Sequence, residues 1–126
     1  MLEIEYVITA HDEILRDLGG LGGFAGGGRG GVESALVRVE NHAVYDGVND
    51  VFGIAAMYAI AIAQGHVFND GNKRTGLTCA LAYLKQEGIT IPRTADLEDV
   101  VVRIAKHEVD HETFAGYLSA LWQMQQ

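Results

Sequence analysis

The segment that most constrains the fold is residues 54–63, IAAMYAIAIA, which is apolar on nearly every face of a helix. Asn49 or Asp50 is placed to cap a helix that runs through Gln64, and Gly65 supplies a C-terminal stop. A helix without a polar face has to be surrounded by other parts of the protein. The apolar run is about half as long as a bilayer span, so it predicts the central helix of a globular domain.

Five further helices are predicted around this central one, each marked by apolar residues at helical spacing and by capping residues. They are a first helix from a Thr9 N-cap to Leu18, a second over residues 32–44, a fourth from Asn72 or Lys73 to Gly88, a fifth with an N-cap at Thr94 and a sixth with an N-cap at Asp110. Residues 89–91 favour a short extended piece. The sequence therefore predicts an all-α, compact bundle of about six helices that forms one domain over residues 1–126.

Charge and composition limit the partners of the chain. The net charge of -8 argues against direct binding of DNA, because neutralising phosphates takes clustered Lys and Arg. The N-terminus lacks the features of a signal peptide, and Cys79 is a single cysteine without a disulfide partner. We therefore expect a cytoplasmic protein that binds neither DNA nor membranes. Any phosphate it binds needs a small local site, which the adjacent basic pair Lys73 and Arg74 marks.

A glycine-rich segment separates the first two predicted helices. Nine of the thirteen residues from 19 to 31 are glycine, a composition that is costly to order and buries few side chains, so we expect a mobile loop. Residues 26–31 match the letters of the dinucleotide-binding fingerprint G-x-G-x-x-G. That fingerprint functions between a strand and a helix, and a helix precedes it here, which argues against nucleotide binding by this segment.

Residues 66–75, HVFNDGNKRT, concentrate polar side chains between two apolar helices. Gly71 permits an unusual turn, and the N-terminus of the next helix presents unpaired N–H groups, an arrangement that binds anions. The basic pair adds full positive charges at the same place. Asp70 would repel a phosphate unless a cation lies between them, which predicts Mg²⁺ at this carboxylate. His66 is the side chain of the loop suited to take a proton from a hydroxyl at neutral pH, so we expect it to be the general base.

Each of these residues also has an ordinary structural interpretation. Asp70 and Gly71 are typical of a tight turn, Asn72 of a helix cap, and His66 of a loop histidine. An enzyme and a catalytically silent helical module that binds a partner are therefore both compatible with the residues alone. The presence of a base beside a metal-binding carboxylate favours the enzyme, since a binding module needs neither.

The loop resembles the signature of the Fic family, H-x-F-x-[DE]-G-N-[GK]-R. Its seven specified letters are matched by His66, Phe68, Asp70, Gly71, Asn72, Lys73 and Arg74. The letters NKRT at residues 72–75 are closer to the Doc branch, the death-on-curing toxins of bacterial toxin–antitoxin pairs. The letters GG at residues 19–20 and ESAL at residues 33–36 also resemble that branch, so the resemblance covers most of the chain.

The resemblance implies an all-helical, nucleotide-dependent transferase. It implies His66 as the catalytic base, Asp70 as the Mg²⁺ ligand and Phe68 as an anchor beneath the loop. The implied nucleotide and phosphate grip consists of Asn69, Gly71, Asn72, Lys73, Arg74 and Thr75. The Doc branch further implies a toxin that uses ATP to modify a threonine of elongation factor Tu, which stops translation.

Two positions depart from the AMP-transferring Fic enzymes. Lys73 stands where those enzymes have glycine, and Leu77 stands where they carry a second arginine that helps to hold the far end of ATP. A bulky cation favours the highly charged terminal phosphate, and leucine cannot hold an outer one. We therefore expect transfer of the γ-phosphoryl group, with AMP transfer as the alternative.

Inhibition is expected to come from another chain. Fic enzymes that are restrained by their own or a partner's helix resemble one another in an [ST]-x-x-x-E-[GN] motif. Here the pairs at residues 40–41 and 87–88 have Leu36 and Tyr83 in place of the Ser or Thr, so neither completes the motif. A small antitoxin with a segment that folds on binding, laid across the apolar groove beside the loop, is the expected inhibitor.

A competing pattern lies at residues 107–111, which spell H-E-x-x-H. That motif binds zinc when both histidines lie on one continuous helix. The N-cap expected at Asp110 falls inside the motif and breaks this geometry, so we do not expect a zinc hydrolase. His11 and His42 have no chemically suggestive neighbours in sequence and are interpreted as core or surface histidines.

Overall fold

Six helices make up the described part of the chain. The computed structural model describes residues 1–45 and 50–126. Its helices are α1 (Ile4–Leu18), α2 (Gly28–Tyr45), α3 (Val51–Gly65), α4 (Asn72–Gln86), α5 (Ala95–Ala105) and α6 (His111–Met124). These residues form no strand, and one isolated antiparallel bridge joins Phe24 to Phe68. The predicted all-α fold is confirmed.

Helix α3 lies at the centre, as its sequence predicts. It packs against α2, α4, α5 and α6, and ten of its fifteen residues are buried. Gly76 of α4 lets that helix approach α3 closely, because a Cβ added at Gly76 would lie 3.0 Å from the carbonyl oxygen of Ala59. Because α4 packs closely against α3, the chain has to reverse direction within residues 66–71, which connect the two helices.

Among the described residues, no helix has the length and apolarity that crossing a membrane requires.

Helix α1 starts earlier than its capping signal predicts. The predicted N-cap at Thr9 is wrong, because α1 begins at Ile4 with Glu3 in the N-cap position and no side-chain cap bond. Val7 lies before Thr9 and is fully buried. Packing of this earlier turn outweighs the local capping preference, as tertiary contacts commonly do.

The glycine-rich segment is more ordered than its composition predicts. Helix α2 begins at Gly28, four residues before its predicted start, so the mobile loop expected over residues 19–31 is wrong for the last four of them. Arg29 pairs with Glu5 of α1 and, at 3.4 Å, with Glu33 one turn further along α2. The pair with Glu5 connects the start of α2 to α1, and the pair with Glu33 lies within α2.

Three predicted N-caps are confirmed by hydrogen bonds from backbone N–H groups to the capping side chains. The pairs are Gly53 with Asp50 at 2.8 Å, Leu97 with Thr94 at 3.1 Å and Thr113 with Asp110 at 2.8 Å. The alternative cap Asn49 lies outside the described residues. Helix α4 ends two residues before Gly88, which has a φ of 85°. The extended piece predicted at residues 89–91 does not form a strand.

Candidate active site

The loop of interest begins where α3 ends, at a residue in the left-handed conformation. His66 is the C-cap of α3, with φ 47° and ψ 47°, and its side chain is exposed. Few residues other than glycine adopt this region, although histidine tolerates it better than most, and such residues concentrate at functional sites. The left-handed residue turns the chain away from the axis of α3. The imidazole consequently stands at the surface rather than in the core.

Phe68 anchors the loop to the core, as the resemblance implies. Its side chain is 2% exposed. The ring stacks on His11 of α1 with centroids 3.7 Å apart and planes inclined by 8°, and it lies 5.9 Å from the ring of Phe24. Burial of a whole aromatic ring between two elements fixes the middle of the loop.

Asn72 closes the loop through its side-chain amide. Its Oδ1 accepts a hydrogen bond from the Phe68 N–H at 3.0 Å, and its Nδ2 donates to the Phe68 carbonyl at 2.9 Å. Gly71 precedes it as the N-cap of α4, with a φ of 78° that favours glycine. Asn72 therefore shapes the loop with its side chain, which leaves its backbone N–H at the start of α4 to face a ligand.

The start of α4 has the features of an anion site. The hydrogen bond from Thr75 N–H to Gly71 O, 2.9 Å, is the first of the helix, so the N–H groups of the three preceding residues have no intrahelical acceptor. Lys73 and Arg74 are exposed in this first turn. The helix dipole and two full charges thus combine at one place.

The predicted residues gather around one cavity of about 410 Å³, a volume typical of small-molecule sites. Seven of the eight predicted site residues line it, namely His66, Asn69, Asp70, Gly71, Asn72, Lys73 and Arg74. The remaining lining residues are Ile14, Leu15, Gly19, Ala63 and Ala105. Helices α1, α3, α4 and α5 therefore all contribute to its wall.

Thr75 is the predicted site residue that the structure does not bring to the cavity. Its side chain is fully buried, and its N–H already donates to Gly71 O. Its hydroxyl has no hydrogen-bond partner within the part of the chain that the structure describes. Thr75 belongs to the packed side of α4 rather than to its open end.

The Asp70 carboxylate lies at the cavity without a cationic partner. Its Oδ1 accepts from the Gly71 N–H at 2.9 Å, and its Oδ2 accepts from the Leu21 N–H at 3.3 Å. Within residues 1–45 and 50–126 it forms no ion pair, although Lys73 and Arg74 line the same cavity. Two backbone donors orient the carboxylate while its charge remains available to a bound cation.

The glycine-rich segment forms a second layer along the loop. The Ala25 N–H donates to Val67 O, and the Asn69 N–H donates to Gly23 O, both at 3.0 Å. The Asn69 side chain adds a bond from Nδ2 to Gly22 O, also at 3.0 Å. Residues 22–25 are therefore held beside residues 67–69 by these three hydrogen bonds.

Comparison with known proteins agrees with this geometry. A model of the Fic/DOC family matches residues 1–84. The chain is also 36% identical over 118 residues to the protein named "Protein kinase doc" of Escherichia phage P1, an alignment that covers 94% of this chain and 92% of that protein. The chain belongs to the Fic/DOC family. The resemblance found in the loop is thereby confirmed.

This Fic/DOC chain has a second cavity that shares Lys73 and Arg74 with the first. Its volume is about 240 Å³, and its further lining residues are Leu77, Arg93, Glu98, Asp99, Val101 and Val102. Arg93 is held in place by hydrogen bonds to Thr78 Oγ1 at 2.8 Å and to Glu98 Oε1 at 3.1 Å. Leu77, at the position where AMP-transferring relatives are expected to have arginine, presents only apolar atoms.

The H-E-x-x-H letters do not form a metal site in this family member. Helix α5 ends at Ala105, His107 has a φ of 62°, and α6 begins only at His111. The hydrogen bond from the Thr113 N–H lowers the pKa of Asp110, as expected for a carboxylate that caps α6. The two histidines therefore lie on separate segments, as predicted.

Thiol chemistry is also excluded from the site. Burial raises the pKa of Cys79 to about 12, so the thiolate that acts as a nucleophile is not formed near neutral pH. The residues described contain no cluster of three or more His, Cys, Asp and Glu side chains that would hold a metal by themselves. A metal at Asp70 would take its other ligands from water or from a bound substrate.

Sequence reasoning missed His11 and the glycine-rich segment as parts of the site. A signal for His11 was present, because it lies three and four residues before Ile14 and Leu15 and thus on the same face of α1. The glycine-rich segment offered no such signal. Its contribution is made by backbone groups, which every residue carries.

Proposed function

We propose that this protein is a Mg²⁺-dependent protein kinase that transfers the γ-phosphoryl group of ATP to a Ser or Thr hydroxyl of another protein. The observation that carries the proposal is that one cavity brings His66 and Asp70 together with Lys73, Arg74 and the open N-terminus of α4. Membership of the Fic/DOC family and the name of the phage P1 relative support the expected class, a Fic/Doc-type kinase.

His66 has the placement of a general base. Its ring is exposed at the cavity and forms no hydrogen bond within the described residues. A neutral imidazole nitrogen accepts the proton of the target hydroxyl, the hydroxyl oxygen forms a bond to the γ-phosphorus, and the bond between that phosphorus and the ADP oxygen breaks. The ADP oxygen takes the electron pair of that bond, so the leaving ADP becomes more negative. Positive groups beside it stabilise this charge.

The residues present fit a magnesium ion at Asp70. Mg²⁺ is commonly held by one or two carboxylates together with substrate phosphates, and Asp70 is an unpaired carboxylate in a cavity with two cationic side chains. When bound, Mg²⁺ neutralises charge on the phosphate oxygens. The protein's own part is to hold Asp70, through the N–H groups of Gly71 and Leu21, so that the carboxylate faces the phosphates.

The nucleotide grip that we propose is divided between backbone and side chains. The backbone N–H groups at the start of α4, from Asn72 through Arg74, bind phosphate oxygens, and the side chains of Lys73 and Arg74 add charge. Gly71 contributes the left-handed turn that opens this end of the helix. The side chains of Asn69 and Asn72 shape the loop, because both are bonded to backbone groups. Thr75 is buried behind them, so its place in this grip rests on the family resemblance alone.

Two residues support phosphoryl transfer over AMP transfer. Lys73 places a flexible cation in the anion site, which favours the terminal phosphate because that phosphate carries the most charge. Leu77 is 1% exposed and offers no donor for an outer phosphate. ATP bound with its γ-phosphate next to His66 satisfies both features. The phage P1 relative is named a protein kinase, which supports phosphoryl transfer.

The biological role that we propose is that of the toxin of a toxin–antitoxin pair. The toxin acts in the cytoplasm, modifies elongation factor Tu and stops translation until a small antitoxin binds it. Exposed apolar side chains at Leu18 and Leu21, next to the cavity wall, support a partner that covers this face. The purified protein is expected to be active alone and to lose activity when the antitoxin is added.

The test of this function is a transfer experiment. The purified protein is incubated with bacterial cell extract, or with purified elongation factor Tu, in the presence of Mg²⁺ and γ-labelled ATP. We expect one dominant labelled protein, modified on Ser or Thr as located by mass spectrometry. Label that does not depend on the added protein would contradict the proposal. A dominant label on another protein would retain the reaction and replace the target.

A further inference from the structure

We infer that His11, a residue of α1 without a counterpart in the signature loop, is a positioning residue that orients the Asp70 carboxylate through the peptide bond between Asp70 and Gly71. The inference rests on the proposed function, because it assigns a role in metal and nucleotide binding. It extends the site to a helix that begins more than sixty residues before the loop. The argument starts from the contacts of the His11 ring.

The His11 ring is fully buried and its Nε2 lies 2.7 Å from the carbonyl oxygen of Asp70. A carbonyl oxygen only accepts hydrogen bonds, so Nε2 carries a proton and donates. The other nitrogen, Nδ1, lies 3.2 Å from Oδ1 of Asp12, whose side chain is largely exposed. Both contacts are partly buried, and the bond to Asp70 is the shorter of the two. Because the His11 ring itself is buried, leaving its Nε2 donor without an acceptor is costly.

The carbonyl that His11 holds belongs to the same planar unit as the donor that holds the carboxylate. The Asp70 C=O and the Gly71 N–H are parts of one peptide group, which is nearly rigid. That N–H donates to Asp70 Oδ1 at 2.9 Å. Fixing the carbonyl therefore fixes the direction of the N–H, and the N–H in turn fixes the carboxylate. His11 thus acts on the metal-binding group through two hydrogen bonds and one peptide plane.

Packing reinforces this arrangement on both sides of the peptide. The imidazole stacks on Phe68 with centroids 3.7 Å apart. A Cβ added at Gly71 would lie 3.5 Å from Cδ2 of His11 and 3.2 Å from a methyl carbon of Leu15. The ring therefore contacts the loop at Phe68 and at Asp70, and a side chain at Gly71 would press against it. It is tightly confined, which a positioning role requires.

Replacing His11 has different expected effects if the ring only fills space and if it orients Asp70. Loss of a space-filling ring lowers the stability of the fold and leaves the folded molecules with normal Mg²⁺ dependence. Loss of the donor weakens Mg²⁺-dependent nucleotide binding in molecules that are folded. Removing a group that orients a metal ligand typically costs about tenfold to a hundredfold in metal affinity.

The test compares variants by calorimetric titration of a non-hydrolysable ATP analogue with and without Mg²⁺. His11→Phe keeps an aromatic ring to stack on Phe68 and removes the donor. His11→Asn is a second disruptive variant, because its short amide does not reach the carbonyl. His11→Gln places an amide donor near the position of Nε2 and serves as the rescue. His42→Phe, on α2 and outside the cavity, is the matched control.

We expect His11→Phe and His11→Asn to lose about tenfold or more of the Mg²⁺-dependent gain in affinity. Binding without Mg²⁺ should change little, His11→Gln should recover part of the loss, and His42→Phe should resemble the wild type. Thermal unfolding of each variant establishes that the titrated molecules are folded. If either disruptive variant is folded and gains as much nucleotide affinity from Mg²⁺ as the wild type does, the role of His11 is overturned and the proposed function stands. Absence of any Mg²⁺ gain in the wild type would instead overturn both.

Discussion

Two connections meet at the cavity, and they are held in opposite ways. Residues 66–71 join α3 to α4 and are anchored by side chains, with Phe68 2% exposed beneath them. Residues 19–27 join α1 to α2 and are held mainly by backbone hydrogen bonds, with Phe24 36% exposed as their largest ring. The proposed chemistry lies on the connection that buried side chains anchor.

The difference shows how a strained residue is retained at a site. His66 has a left-handed backbone that costs free energy in a residue other than glycine, and its position is kept by the anchored residues that follow it. The glycine-rich connection has few side chains and orders at the expense of backbone entropy. The backbone of residues 19–27 can therefore adapt around the loop. Residues 66–71, in contrast, have to keep the proposed reacting groups in place.

The largest expected effect separates the two anchors. Phe68→Ala should lower the free energy of unfolding by about 3–5 kcal/mol, because it removes a fully buried ring and leaves a cavity. Phe24→Ala should cost about 1 kcal/mol, since its ring is partly exposed and contributes mainly one aromatic contact. Urea unfolding of both variants measures the difference. Equal losses would contradict the contrast between a side-chain anchor and a backbone layer.

The next effect concerns the strained residue. His66→Ala should reduce the rate of transfer about a hundredfold or more, because it removes the proposed general base, while nucleotide affinity stays within a few-fold. The measurement is kcat for transfer together with the dissociation constant of the nucleotide. Circular dichroism serves as the folding control. Transfer at the wild-type rate in the folded variant would remove His66 from the mechanism.

Asp70→Asn should shift the magnesium dependence rather than abolish folding. The substitution keeps an oxygen that accepts the Gly71 N–H and deletes the charge that a cation requires. We expect the Mg²⁺ concentration for half-maximal activity to rise about tenfold or more. The measurement is a Mg²⁺ titration of the transfer rate at constant ATP. An unchanged titration curve would show that the metal binds elsewhere.

The smallest expected effect tests whether the glycine-rich layer needs its glycines at particular places. At Gly20 a Cβ would lie 2.8 Å from Asp70 Oδ2, and the φ of 127° disfavours other residues. Gly20→Ala should therefore displace the carboxylate and lower kcat/KM about tenfold. Gly22→Ala is the matched control, because a Cβ there has nothing within 4 Å. Equal activities of the two variants would show that the layer does not act on Asp70.

Local features of the fold were predictable from the sequence. The central position of α3 follows from its lack of a polar face, and the caps at Asp50, Thr94 and Asp110 follow from side chains that bond N–H groups three residues away. The candidate active-site loop could be recognised for a related reason, since nearly all of its polar and charged groups lie within ten consecutive residues.

The features that were missed depend on contacts distant in sequence. The early start of α1 goes with the burial of Val7, and the start of α2 carries an ion pair from Arg29 to Glu5 of α1, neither of which a capping rule contains. The bond from His11 to Asp70 spans 59 residues. The assignment of Thr75 to the phosphate grip remains a prediction from family resemblance, and helical periodicity turns its side chain away from the cavity.

The measurement that tests the central claim most directly compares two labels of ATP. Two parallel reactions contain the purified protein, Mg²⁺ and the unmodified target protein identified in the transfer experiment. One receives ATP labelled in the γ-phosphate and the other receives ATP labelled in the α-phosphate. The placement of Lys73 in the anion site and of Leu77 beside it predicts transfer of the γ label alone, with ADP as the second product. Transfer of the α label alone, with release of pyrophosphate, would contradict the kinase assignment and establish AMP transfer in its place.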